Sequence, residues 1–424
     1  MTALSKAGGR AAAVVVGGIA GALIIFGLDG LTGGSEPDTG SPSRTEATTG
    51  SDGGIPTTGN EGAQPGDKEA PGGSTRLAPG VFLAWSPGDL PAGTEATLES
   101  LPEVKDATTV LAGLDWIADS RTASGEVVDK PPRGFGIPFE IAAIEPREYA
   151  RFVPRADREA VRDLDDGNTL LAETSAELRK QPETGSLKLD LGQRTLTTSG
   201  VVTDLATNGY EALMAAPAPA EWQLVDRFVL VHLRNPNDED VVEKAIKELL
   251  PPGQPLRTRS EGENPFLRYG DAVLPQMLVK DVFGEFAGRP LPSGAIEIEK
   301  GWAERNILTA QVPILGEIRC HRVLFPQLRE AFRDIDRQGL SHAIHPAQYS
   351  GCYVPRFVNS NPGGRLSHHS WGIAIDVNAN DNRFGIKPTM DERVVDIFED
   401  RWGFTWGGHW LIPDGMHFEW LKFP

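Results

Sequence analysis

RLSHHSWGIAIDVNAND, running from Arg365 to Asp381, decides how the C-terminal part of this chain folds. Ile373, Ile375 and Val377 alternate with Gly372, Ala374 and Asp376. Period-two alternation marks a strand with one oily face. The opposite face carries Asp376 beside two of the smallest side chains, which predicts open space along it. His369 lies just before the strand and can fold over the same face. A second stretch, WLIPDGMHFEWLKF from Trp410 to Phe423, repeats the pattern. Met416, Phe418 and Trp420 form one face, and His417 and Glu419 the other. Pro413-Asp414-Gly415 makes a turn that sets Asp414 near the start of that polar face.

Two histidines and one carboxylate are a three-ligand set for catalytic zinc, with the fourth position left to water. His369, Asp376 and His417 are therefore the candidate ligands, and Zn2+ is the implied cofactor. Such a metal lowers the pKa of its water and polarises a scissile carbonyl. A further carboxylate must take the water's proton and pass it to the leaving amine. Asp414, three residues before His417, is the candidate for that role. Glu419 is the candidate for orienting a ligand histidine. Taken singly, each histidine is more often a surface or hydrogen-bonded residue, and Asp376 reads as a turn cap. The two matched polar faces together favour the metal. His368 is set aside as a ligand, because adjacent strand residues point apart. His409 in WGGHW reads as a substrate contact, a spare metal contact or an ordinary loop histidine. Trp371, Trp402, Trp406 and Trp410 read as core or cleft wall, with one touching substrate.

Ser367-x-His369-x-x-Gly372-x-Ala374-x-Asp376 resembles the first signature of the D-alanyl-D-alanine carboxypeptidase family of zinc peptidases, the VanY-like group that includes L-alanyl-D-glutamate endopeptidases. Asp414-x-x-His417-x-Glu419 resembles the second, in which an acid three residues before the last zinc histidine is the base. The resemblance implies a peptidoglycan stem peptide as substrate. It also implies that Arg356, in Cys352-Tyr353-Val354-Pro355-Arg356, faces the substrate carbonyl or carboxylate. It covers roughly Leu308 to the end of the chain. Asp at the base position, where many carboxypeptidases have Glu, is more like the endopeptidase branch.

The remainder of the chain frames this site. It has 424 residues, with 48 Gly, 33 Pro and a net charge of −18. That charge excludes nucleic acid as a partner, since no basic stripe can replace counterions. Lys6 and Arg10 precede the uncharged run Ala11 to Leu28, which predicts a single transmembrane helix with the rest of the chain translocated; a cleaved signal peptide is the rival reading. Residues 31–80 read as a flexible Gly/Ser/Thr/Pro linker, too poor in apolar groups to fold. Residues 81–300 alternate strand-like and helix-like stretches, among them FVLVHL (Phe228 to Leu233) and SLKLDLG. His232 sits alone in its strand and reads as a core or sheet-face residue. Through Gly167, Leu170, Ala176 and Gly185, this region is similar to the extracytoplasmic domains of MacB- and FtsX-type permeases, which implies a module for docking a protein partner. Cys320 and Cys352 are the only cysteines, and they read as a disulfide if the region lies outside the cytoplasm, or as metal ligands.

The expected fold is α+β. A small antiparallel-sheet zinc peptidase domain (301–424) follows an α+β extracytoplasmic region (81–300), the linker (31–80) and the N-terminal anchor (1–30). The expected function is that of a membrane-anchored, extracytoplasmic metallopeptidase of the D-alanyl-D-alanine carboxypeptidase type. The alternatives are an L-alanyl-D-glutamate endopeptidase and a non-catalytic cell-wall binding or regulatory protein.

Overall fold

Apolar runs without alternation dominate the middle of the chain. VFLAW (β1, Val81–Trp85) and IPFEIAAI (β5, Ile137–Ile144) are buried from end to end. Strands of that kind need cover on both faces. Along β5, Ala142 and Ile144 enter one hydrophobic cluster, while Phe139, Ile141 and Ala143 enter another. The same split runs along β10 (Asp226–Leu233), with Phe228 and Leu230 on one side and Val229, Val231 and Leu233 on the other. The computed structural model describes residues 76–424, apart from 190–193, 219–221, 223, 225 and 268–273.

These strands join β2 (Val104–Ile117), β3 (Asp119–Thr122), β4 (Val127–Asp129), β6 (Asn168–Ala172), β7 (Gly185–Leu189), β8 (Arg194–Val202), β9 (Ala212–Ala215) and β11 (Arg257–Arg259). Together they form one 11-stranded sheet in the order β11-β1-β10-β2-β5-β9-β6-β8-β7-β3-β4. Its pairings are antiparallel except β5 with β9 and β6 with β8. His232, on β10, stacks on Phe152 with ring centroids 4.3 Å apart.

This architecture corrects the expected fold. A large mixed sheet, rather than short α+β elements leading to a small sheet, is the dominant element. Its physical cause is long-range pairing: β10 lies between β1 and β2, far earlier in the chain. The expected transmembrane helix is not seen either. Among the described residues no helix is long and apolar enough to cross a membrane. Phe325–Arg337, at 13 residues, falls short of the roughly 20 a span needs. The run Ala11 to Leu28 and the linker as far as residue 75 lie outside the described residues.

Toward the C-terminus the chain forms the hairpins β12 (Gly288–Pro290) with β13 (Ile296–Ile298) and β14 (Ile307–Val312) with β15 (Gly316–His321). The amphipathic helix Phe325–Arg337 buries Leu328, Phe332 and Ile335, and Gly339 follows it at φ +71°, a conformation that glycine adopts without a Cβ penalty. A three-stranded antiparallel sheet then pairs β16 (Ala374–Asp376) and β17 (Phe404–Trp406) with the central β18 (His417–Trp420). Its core also takes in residues from before position 301, including Val279, Phe283 and Phe286. The Trp371 indole packs 4.7 Å from Phe286 and donates to the Gly284 carbonyl at 3.1 Å.

A buried ionic cluster lies where the helix Gln276–Phe283 meets the large sheet. Lys280 Nζ is 2.7 Å from Glu211 Oε1 and 3.3 Å from Glu285 Oε1. Arg179 pairs with Glu285 and lies 3.2 Å from Asp129 Oδ2. The side chains of Arg179, Lys280 and Glu211 are wholly buried. Burial works against the Glu285 carboxylate, yet Arg179 and Lys280 outweigh it and bring its pKa down to about 2. Removing one member strands the others without charge compensation. Lys280→Met is expected to cost about 3–5 kcal/mol, read from the urea unfolding midpoint. Lys244→Met, at an exposed i,i+4 pair with Glu248, should cost under about 1 kcal/mol.

Candidate metal centre

The β16–β18 ladder builds this site. Its register sets Asp376 directly across from His417, and Ala374 across from Glu419. His369 arrives from the short turn His368–Ser370, where the Ser367 hydroxyl accepts from the His369 N–H at 3.3 Å. His369 Nε2 then lies 3.2 Å from His417 Nδ1 and 3.2 Å from Asp376 Oδ2. His417 Nδ1 is 3.1 Å from Asp376 Oδ1. One ligand atom from each of the three residues lies within 4.8 Å of the others.

The outward ring nitrogens are also occupied. His369 Nδ1 donates to the Cys352 carbonyl at 2.9 Å, and His417 Nε2 donates to Glu419 Oε2 at 3.2 Å. Each bond leaves the inward nitrogen with its lone pair in the neutral ring. Two imidazole nitrogens and a carboxylate thus converge on one point, a donor set that fits a divalent cation.

Charges in the metal-free protein follow from these contacts. Burial opposes the His417 imidazolium, but hydrogen bonds to Asp376 and Glu419 outweigh it and push its pKa up to about 10. Burial dominates at His369 and lowers it despite Asp376. Asp376 is also buried, yet the two histidines hold its carboxyl far below the usual carboxylate range. Glu419 is brought down to about 2 because His368 and His417 outweigh its burial. His368 Nδ1 lies 3.1 Å from Glu419 Oε2, so this histidine holds the carboxylate that orients His417.

The other candidate residues divide clearly. Asp414 stands in the turn before β18, with its main-chain carbonyl accepting from the His417 N–H at 3.1 Å. Its Oδ1 is buried without a hydrogen-bond partner, and burial pushes its pKa up to about 6 against the pull of His417. A buried oxygen of that kind is suited to receiving a proton or a donor from outside the protein. Arg356 Nη2 lies 3.7 Å from Asp376 Oδ2, and Nη1 donates to Ser367 Oγ at 3.4 Å. Trp410 sits with its ring 5.0 Å from that of His417. His409 is not brought to the centre. It is exposed, 3.3 Å from Glu399 and edge-on to Trp406.

One expectation changes in detail, and the expected disulfide is present. Gly372 does not open space along the ligand face. It stands before β16 at φ +69°, and a Cβ there would meet the His321 nitrogen at 2.8 Å. Cys320 and Cys352 form a disulfide and therefore cannot bind metal. Sequence reasoning missed the main chain beside Cys352. Besides the His369 ring contact, the Val354 N–H donates to the His369 carbonyl at 3.0 Å, and Gly351 bridges to Asp376. Backbone partners carry no residue signature, so no sequence signal marked them.

The family model described as D-alanyl-D-alanine carboxypeptidase matches residues 360–420. That span contains His369, Asp376, Asp414 and His417. Among curated proteins none matches the chain. Among solved structures, the extracellular domain of the noncanonic ABC-type transporter YknZ from Gram-positive bacteria is 11% identical and has a TM-score of 0.28. The match covers 42% of this chain and 100% of that one; at that score the likeness carries no argument. The segment around His369, Asp376 and His417 is thus similar to D-alanyl-D-alanine carboxypeptidases, and residues 360–420 form part of a carboxypeptidase-like domain.

Proposed function

We propose that this centre is a zinc peptidase site that hydrolyses an amide bond in peptidoglycan stem peptides, with removal of terminal D-alanine as the leading reaction. The observation that carries the reading is the convergence of His369 Nε2, His417 Nδ1 and the Asp376 carboxylate, with both outer ring nitrogens already bonded. The match at residues 360–420 supports the substrate class. The disulfide supports a location outside the cytoplasm, where such bonds persist.

His369, Asp376 and His417 would hold the zinc. When bound, it would supply Lewis-acid polarisation of the scissile carbonyl and a lowered pKa for the attacking water. Asp414 takes the proton of that water on its unpartnered Oδ1 and returns it to the departing amine. Glu419 fixes the His417 ring by accepting from Nε2. Arg356, partly exposed beside Asp376, offers its guanidinium to the substrate's carbonyl or terminal carboxylate. Trp410 forms part of the cleft wall in front of His417.

Incubation of the protein with defined muropeptides, with and without chelator, tests this by mass spectrometry. Release of D-alanine that stops with chelator is the expected result. A cut between L-alanine and D-glutamate would select the endopeptidase alternative, and absence of any product from metal-loaded protein would sink the peptidase reading. Asp414→Asn should lower kcat by about 10²–10⁴-fold while metal content, read by atomic emission, stays stoichiometric. His369→Ala should lose the metal itself.

Metal uptake should also displace a proton. At neutral pH the metal-free His417 is charged, since its pKa is pushed up to about 10, and the ligand atom must give up that proton. Calorimetry of zinc binding in buffers of different ionisation enthalpy should show release of about one proton at pH 7. Affinity should rise about tenfold per pH unit between roughly pH 6 and 8. A pH-independent affinity would contradict the charge state assigned to His417.

A further inference from the structure

The cleft before His417 is not built by the carboxypeptidase-like domain alone. Its cavity of 420 Å³ is lined by Phe384, Trp410 and Ile412, and also by Trp85, Arg257 and the turn Val358–Ser360. Trp85 and Arg257 belong to the large sheet, where they are register partners across β1 and β11. His417, Asp414 and this sheet edge therefore line one cavity.

Three observations suit this second wall to a ligand. The Trp85 position is rigid: the residue is 1% exposed, and its ring packs 6.2 Å from Phe228, with the Arg259 guanidinium 4.8 Å from its centroid. The turn beside it is wedged in place. Asn359 and Ser360 both have positive φ, and a Cβ on Gly294 would fall 2.0 Å from the Ser360 carbonyl oxygen, so only glycine fits there. The rim is apolar and open, with Val358 43% and Phe384 46% exposed. Large exposed apolar side chains lining a cleft are a feature of binding sites.

The arginines at or behind this wall differ in what they already hold. Arg259 donates to the carbonyls of Asn264 and Phe266, and Arg365 pairs with Asp226 at 3.2 Å. Arg257 is exposed, and its guanidinium can meet an incoming anion.

We propose that the β1–β11 edge is a substrate subsite. A peptide whose scissile amide lies between His417 and Asp414 runs extended over the apolar rim toward Trp85. Arg257 binds a carboxylate carried by a residue remote from the cut. This rests on the peptidase reading of the metal centre. It makes the large sheet a specificity element, which would distinguish long acidic peptides from short or neutral ones. Arg257 is a binding residue in this scheme and takes no part in bond cleavage.

The test uses the full chain loaded with zinc and three probes. These are a stem pentapeptide with its D-glutamate carboxylate free, the same pentapeptide with that group amidated, and the dipeptide D-alanyl-D-alanine. Arg257→Gln should raise KM for the acidic pentapeptide about tenfold and leave its kcat unchanged. KM for the other two probes should not move, and Arg257→Lys should recover part of the loss. Equal KM values for wild type and Arg257→Gln on the acidic pentapeptide overturn the subsite and leave the peptidase reading standing. If wild type cleaves none of the probes, binding of the acidic pentapeptide by tryptophan fluorescence decides. Binding weakened about tenfold in Arg257→Gln then upholds the subsite without catalysis. Absent or unchanged binding overturns it.

Discussion

A ladder of three residue pairs governs the C-terminal half of the cleft. Asp376 meets His417 only because β16 and β18 pair in one register. Side chains alternate faces along a strand, so a slip of one residue would bring Phe418 to the position of His417. Apolar packing fixes the register from behind. Phe418 stacks on Phe398 at 4.4 Å and lies 6.3 Å from Trp406. Main-chain bonds extend it beyond the strands, from Val377 N–H to Met416 and from Trp420 N–H to Ile373. Hydrophobic burial thus sets where two buried charges stand.

Those charges are costly to bury, and the structure offsets the cost by chaining them. Asp376 faces both ligand histidines, while Glu419 receives His417 from one side and His368 from the other. Every ring in the chain has a carboxylate or carbonyl to answer it, as buried polar groups require. Asp414 has one oxygen unanswered, and it stands beside the cleft. The same logic appears in the ionic cluster around Arg179 and Lys280, where charges of both signs tie the large sheet to the helix that enters the C-terminal core.

The site was far more legible in the sequence than the fold. His369, Asp376, Asp414 and His417 fall within two short segments, so strand periodicity and turn chemistry were enough to bring them together on paper. The large sheet was not legible in the same way. FVLVHL is plainly a buried strand, but nothing local in it says that it lies between Val81–Trp85 and Val104–Ile117. Likewise Trp85 and Arg257 reach the cleft only through that long-range pairing. His409 shows a related limit. WGGHW left it open between a site contact and an ordinary loop histidine, and only the folded turn, which carries the ring outward to Glu399, decides for the loop.

The segment Gly351–Val354 touches the ligand set at several points and is itself crosslinked to β15. It holds the ring and the main chain of His369, and it bridges to Asp376. The ordering entropy of these ligands is thus spent during folding rather than when an ion arrives. Under the proposed function, an incoming ion would meet a ring and a carboxylate already held in place by main-chain bonds.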